Sequence, residues 1–287
     1  MSLILLEDVW FDIIVFVIKE FAQRTIDEAV LRSLQLGEGH GLKKEGKPHF
    51  DQFIRDFKAG KQMLFSRHIH MLDGFDYESN ILDINNLETV KSQPILIVTN
   101  HPYGGPLRGH GQRVIINYYV SNISQKEIRW LHGFDKITLE QLTRNRFARQ
   151  SNTILVRDKN PKGPSDSIRQ AIGNKDIIGI HPEGDGYRTL LRGRPEAGRM
   201  IRFCVAKNYS IVCIATRFEK DSFFLTFLPP LDSEKIKSIA KAKTTDRNSG
   251  WQGISDYAMA RIAKHLPEKN RGCYQNYQDF ISAFEAL

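Results

Sequence analysis

From about residue 93 to residue 230, short apolar runs alternate with amphipathic stretches. Ile95 to Val98, Ile128 to Leu131, Thr153 to Val156, Ile177 to Ile180, Ile211 to Ala215 and Phe223 to Leu228 have the length and composition of strands buried on both faces. Between these runs, apolar residues recur at helical spacing. Leu107, Gly111, Val114, Ile115 and Tyr118 form one face. Ile168, Ala171 and Ile172 form another, behind Ser165 as a cap. Ala197, Met200, Ile201, Cys204 and Val205 form a third, opened by Pro195 at a first helical position, where a missing N–H costs nothing. Strands that alternate with helices predict βαβ units, and so an α/β fold with a mostly parallel central sheet flanked by helices.

The flanks read differently. Glu7 to Phe21 has the texture of a hydrophobic helix, and Ile26, Val30, Leu31 and Leu34 continue at helical spacing. Gly37 to Pro48 is a glycine- and lysine-rich loop, and His49 to Phe65 reads as a second helix. The expected division is therefore a helical N-terminal segment, 1–85, packing on the core or on a membrane surface, and an α/β domain, 86–287, with a helical tail after Trp251. No signal-peptide pattern is legible. The run Ile13 to Ile18 falls short of the roughly 20 apolar residues that a bilayer span needs. A cytoplasmic protein, peripherally associated with membrane, is the expectation.

Charge narrows the partners. The 287 residues carry a net charge of +8, which favours an anionic membrane lipid surface or a phosphorylated small molecule. Neither zinc-finger spacing nor a long Lys/Arg block is present, so nucleic acid is not an expected partner. The three cysteines, Cys204, Cys213 and Cys273, form neither a disulfide framework nor a metal pattern, and no metal site is expected.

The chemistry lies at strand ends. In parallel sheets, ligands bind beyond the carboxyl ends of the strands. Asn100-His101 ends one apolar run and His181-Pro182-Glu183-Gly184 ends another. In VTNHPYGGPLRGHG, residues 98–111, Gly104 and Gly105 allow close backbone approach, and the helix after them offers N–H groups to an anion or oxyanion. In HPEGDGYRTLLRG, residues 181–193, Glu183 and Asp185 are followed by Arg188 and Arg192, with Arg194 next, a set able to hold a phosphate by charge-assisted contacts. Arg157 closes the 153–156 run.

Taken in order, these blocks resemble the glycerolipid acyltransferase family, which includes the lysophosphatidic acid and glycerol-3-phosphate acyltransferases. The nearest subgroup in motif is that of the ornithine-lipid and haemolysin-like acyltransferases. The matching stretches are the strand ending in Asn100-His101, TILVRD with Arg157, IHPEGDGYRTLLRG, and PEAGRMIRFCVAKNYSIVCIAT. They cover roughly residues 90 to 230. The resemblance implies a glycerol-3-phosphate acyltransferase-like fold. It also implies transfer of a fatty acyl group from acyl-CoA or acyl-carrier protein to a hydroxyl or amine of a lysophospholipid or glycerol-phosphate-like acceptor, with no bound cofactor. By position, His101 is the general base. Arg157, Glu183 and Gly184 hold the acceptor, with Asn100, Gly104, Gly105, Arg108 and Arg188 also at the substrate.

One element departs from the family. Four residues beyond the histidine the family has an aspartate that orients the imidazole, and here Gly105 stands there. Arg108-Gly109 occupies the place of the subgroup's Asp-Gly, and His181 replaces a phenylalanine. Three readings follow. Another group orients His101, with Asp185 the expected one and Glu183 or a carbonyl the others. Arg108 has become an acceptor-binding residue. Or the chain is a catalytically inactive relative that binds lipid or acyl-CoA.

Overall fold

The computed structural model describes residues 47–72, 78–102, 110–133, 146–156, 166–184, 188–219, 222–242 and 247–287. The helices expected before residue 37 lie outside this set, as do Gly104, Gly105, Arg108, Arg157 and Asp185. The strands are β1 (Glu78–Leu82), β2 (Ile95–Thr99), β3 (Ile128–Gly133), β4 (Ile154–Val156), β5 (Ile177–Ile180), β6 (Ser210–Glu219) and β7 (Ser222–Phe227). The principal helices are α1 (Lys47–Lys58), α2 (His110–Ser124), α3 (Asp166–Gly173), α4 (Pro195–Val205), α5 (Ser233–Ala242), α6 (Arg247–Ala263) and α7 (Tyr277–Glu285).

The seven strands form one sheet in the order β1-β7-β6-β2-β5-β3-β4. Every neighbouring pair is parallel except β6 and β7. Those two run antiparallel because only residues 220–221 separate Glu219 from Ser222, too few for a crossover. The α/β fold with a mostly parallel sheet is thus observed. β1 was not expected: its residues Glu78-Ser79-Asn80 are polar, and it lies at the sheet edge.

Strand residues alternate between two cores. Leu96, Val98, Ile178, Ile180, Ile211, Cys213 and Ala215 face α3, α4 and α6. Ile95, Ile97, Ile177, Val212 and Ile214 face the layer of α1 and α2. Both faces are covered, which is why these strands read as continuous apolar runs rather than alternating ones. Each fully buried Ile or Leu contributes about 1.5–3 kcal/mol relative to exposure. Phe50, Phe53, Ile54 and Phe57 of α1 follow an i, i+3, i+4, i+7 stripe that buries against the sheet layer. Among the described residues no helix is long and apolar enough to cross a membrane.

Register fixes where the loops emerge. β2 and β5 are adjacent, and Val98 pairs with Ile180. Asn100-His101 and His181-Pro182-Glu183 therefore leave the sheet side by side at its carboxyl end.

Candidate functional site

β2 does not end abruptly at Thr99. Its last rung to β6 pairs Thr99 with Ile214, and the Asn100 side chain then takes over the pairing. Asn100 Nδ2 donates to the Thr216 carbonyl at 2.8 Å, and Oδ1 accepts the Thr216 N–H at 2.8 Å. From the first turn of α2, Gln112 Nε2 lies 2.8 Å from the Asn100 carbonyl and 3.0 Å from Thr216 Oγ1. This buried knot anchors the start of α2 to the sheet and leaves the backbone free to turn at His101.

Glu183 performs the equivalent task on the neighbouring loop. It is 3 % exposed, and both oxygens take main-chain donors: the His101 N–H at 2.8 Å and the Leu191 N–H at 2.9 Å. One carboxylate thereby ties the turn after β2 to the turn after β5 and to the segment entering α4. Burial pushes its pKa up to about 7, against the opposing pull of the two N–H donors. Gly184 follows at φ +84°, a left-handed conformation suited to glycine. A methyl group there would sit 2.7 Å from Arg194 Cζ, so the Arg194 guanidinium lies directly against this backbone.

His101 is half-buried, with its ring centroid 4.5 Å from that of His181. His181 is sandwiched in turn: its other neighbour is Trp130, stacked at 5.0 Å and 11°. Trp130 reaches this place because its register partner on β5 is Gly179, where a Cβ would lie 2.5 Å from the indole. His181 Nδ1 is 3.2 Å from the Thr99 carbonyl, which can only accept, so this nitrogen carries the proton. Nε2 then presents a lone pair to Arg113 Nε–H at 3.4 Å. Burial, His101 and Arg113 together hold the His181 imidazole well below its ordinary pKa. His181 is therefore a neutral aromatic wall against the half-buried His101 ring.

The segment behind the site is clamped from the C-terminal helices. Buried Asp256 on α6 accepts from Arg192 Nη2 at 2.7 Å, Tyr274 Oη at 2.9 Å and Gln252 Nε2 at 2.9 Å. Tyr274 Oη also receives the Gly193 N–H at 3.0 Å. Asn270 Nδ2 donates to the Arg188 carbonyl at 3.1 Å.

Of the residues singled out in the sequence, Asn100, His101, Glu183 and Gly184 meet here, and Arg188 lies in the clamped segment. Asp185, Arg108, Arg157, Gly104 and Gly105 lie outside the described residues. The roles of Gln112, Arg113, Trp130, Thr216 and Asp256 were not read from sequence. Only Arg113 carried a signal: it directly precedes the apolar run Val114-Ile115-Ile116, at the edge of a buried helix face. Among the described residues no cluster of three or more His, Cys, Asp or Glu side chains suits a metal ion. No model of a known protein family matches the sequence, and no curated protein matches it significantly.

Proposed function

We propose that the chain is an acyltransferase of the glycerolipid type, with the corresponding fold. It would move a fatty acyl group from acyl-CoA or acyl-carrier protein to a hydroxyl or amine of a lysophospholipid or phosphate-bearing acceptor. The observation that carries this reading is the joining of two distant motif blocks: the His101 N–H is held by Glu183 beside a tilted His101–His181 ring contact. In this reading His101 takes the proton of the acceptor O–H as its oxygen attacks the thioester carbonyl. The tetrahedral intermediate collapses, the C–S bond breaks, and the imidazolium returns the proton to the leaving thiolate. A thioester is already activated, so a base and positioning carry most of the demand on the protein.

Glu183 contributes to this chemistry by holding the backbone of His101, since both of its oxygens are occupied by N–H groups. The same observation favours a second reading, a binding-only relative, because Glu183 is not placed to orient the imidazole. Thiol release from medium- and long-chain acyl donors, across lysophospholipids and glycerol-3-phosphate, separates the two. Acceptor-dependent release that falls by about 10²–10⁴-fold in His101→Ala, with unchanged thermal stability, is the expected result. Retention of donor or lysolipid without turnover supports the binding-only reading. The net charge of +8 further supports peripheral attachment to anionic lipid. Sedimentation with anionic vesicles at low salt tests this, and failure to sediment removes the membrane claim.

A further inference from the structure

Beside the candidate base the protein buries a cation that meets no anion among the described residues. Arg113, in the first turn of α2, is 7 % exposed. Its polar contact is the long Nε–H bond to neutral His181, and its guanidinium lies 5.5 Å from the centre of the Trp130 ring. Neither contact cancels a full charge. It forms no ion pair among the described residues, and burial alone accounts for the fall of its pKa to about 10. The group therefore stays protonated at neutral pH.

An unpaired buried charge is expensive, and proteins normally supply a counter-charge. Among the described residues the guanidinium has one hydrogen-bond acceptor, through Nε. His181 Nε2 already takes the Nε–H, and the adjacent Trp130 offers only a further donor, Nε1, which is itself buried without an acceptor. Among the described residues neither Nη atom is both shut from solvent and unbonded, and the residue keeps 7 % exposure. The guanidinium shares the carboxyl end of the sheet with the first turn of α2, whose backbone N–H groups add positive potential.

We infer that Arg113 is the charged floor of an anion subsite that takes a phosphate of the substrate beside His101. The inference deepens the acyl-transfer reading and rests on it only for the identity of the ligand. A phosphate oxygen would accept from the free guanidinium edge while His181 keeps Nε, and the occupied site would hold a neutralised pair. Two sources share this chemistry, the acceptor's phosphate and the phosphates of a CoA donor.

The test is calorimetric titration of the full chain with inorganic phosphate at fixed ionic strength, with no acyl donor present. Wild type is expected to bind, Arg113→Gln and Arg113→Met to bind at least about tenfold more weakly, and Lys91→Gln, a surface control, to bind as wild type. In a second measurement on wild type alone, phosphate should shift two histidine ring resonances, those of His101 and His181. This holds the proposal to account even if the Arg113 variants misfold. Displacement of phosphate by glycerol-3-phosphate assigns the subsite to the acceptor, and displacement by free CoA assigns it to the donor. Phosphate binding of equal strength in wild type and Arg113→Gln overturns the inference, as does the absence of any ring shift or of displacement by either compound. Arg113-dependent binding without thiol release would keep the subsite and sink acyl transfer. Thiol release without Arg113-dependent binding would do the reverse.

Discussion

Arg192 and Arg113 both touch the machinery around the turn after β5, on opposite terms. Arg192 is 62 % exposed, yet it lays a two-pronged contact on Asp256, which is 5 % exposed and is also held by Gln252 and Tyr274. Arg113 is buried and meets a neutral imidazole and an aromatic face. The first arrangement is closed: each acceptor has its donors, and its purpose is to hold the 189–194 segment. The second is open: among the described residues its charge meets no anion. Structural polar networks satisfy themselves, whereas sites retain an unmet demand that a ligand fills.

The comparison breaks most visibly at Asp256. Asp256→Ala removes the acceptor that Arg192, Tyr274 and Gln252 share, leaves the buried Tyr274 hydroxyl without one, and should cost about 3–5 kcal/mol in urea unfolding, summed over the lost bonds. Arg192→Ala leaves the buried Asp256 carboxylate with its Tyr274 and Gln252 donors but without its counter-charge, and should cost a smaller amount, about 1–3 kcal/mol, by the same measurement.

Glu183 gives the next effect, visible in pH. Its folded pKa is raised from 4.5 to about 7 by burial. Below 4.5 both folded and unfolded states hold the proton. As pH rises from 4.5 to 7 the unfolded chain ionises first, so stability falls, by about 3 kcal/mol once pH passes the folded value. Urea midpoints across this range should show the fall in wild type, and Glu183→Gln should flatten it from a lower baseline, since an amide turns an NH₂ toward one of the two N–H donors. An unflattened curve would mean that Glu183 does not carry the effect.

Arg113 gives the smallest effect, of opposite sign to that at Asp256. Arg113→Met removes a buried charge and should raise the stability of the ligand-free protein by about 1 kcal/mol in urea unfolding. A loss comparable to that of Asp256→Ala would place Arg113 in the structural class instead.

Much of this frame was legible from sequence for one reason: strands covered on both faces must be apolar throughout. Ile95 to Val98 and Ile177 to Ile180 stood out on that ground, and their adjacency brought His101 to Glu183. The edge strand β1 was hidden because its exposed residues Glu78 and Ser79 need not be apolar. The expected mostly parallel sheet left open where an antiparallel pair would fall, although the short link between β6 and β7 marks it. At the site, sequence shows residue types but not which atom they serve. Glu183 read as a ligand-facing carboxylate, yet it serves two amides. Gln112 and Arg113 are polar residues at the start of a helix with no motif to mark them, and their burial follows from the docking of α2 over the carboxyl ends of β2 and β5.

The side-chain rung between Asn100 and Thr216 also has a consequence for solvent exchange. The Thr216 amide hydrogen is protected by a side-chain oxygen, so its exchange with deuterium follows the rotamer of Asn100 rather than the opening of a backbone ladder. Neighbouring amides of β6 pair with the main chain of β2 through Thr99 and should exchange with the sheet. Asn100→Ala should quicken deuterium uptake at Thr216 far more than at Val212, making that one hydrogen a clock for motion at the floor of the site.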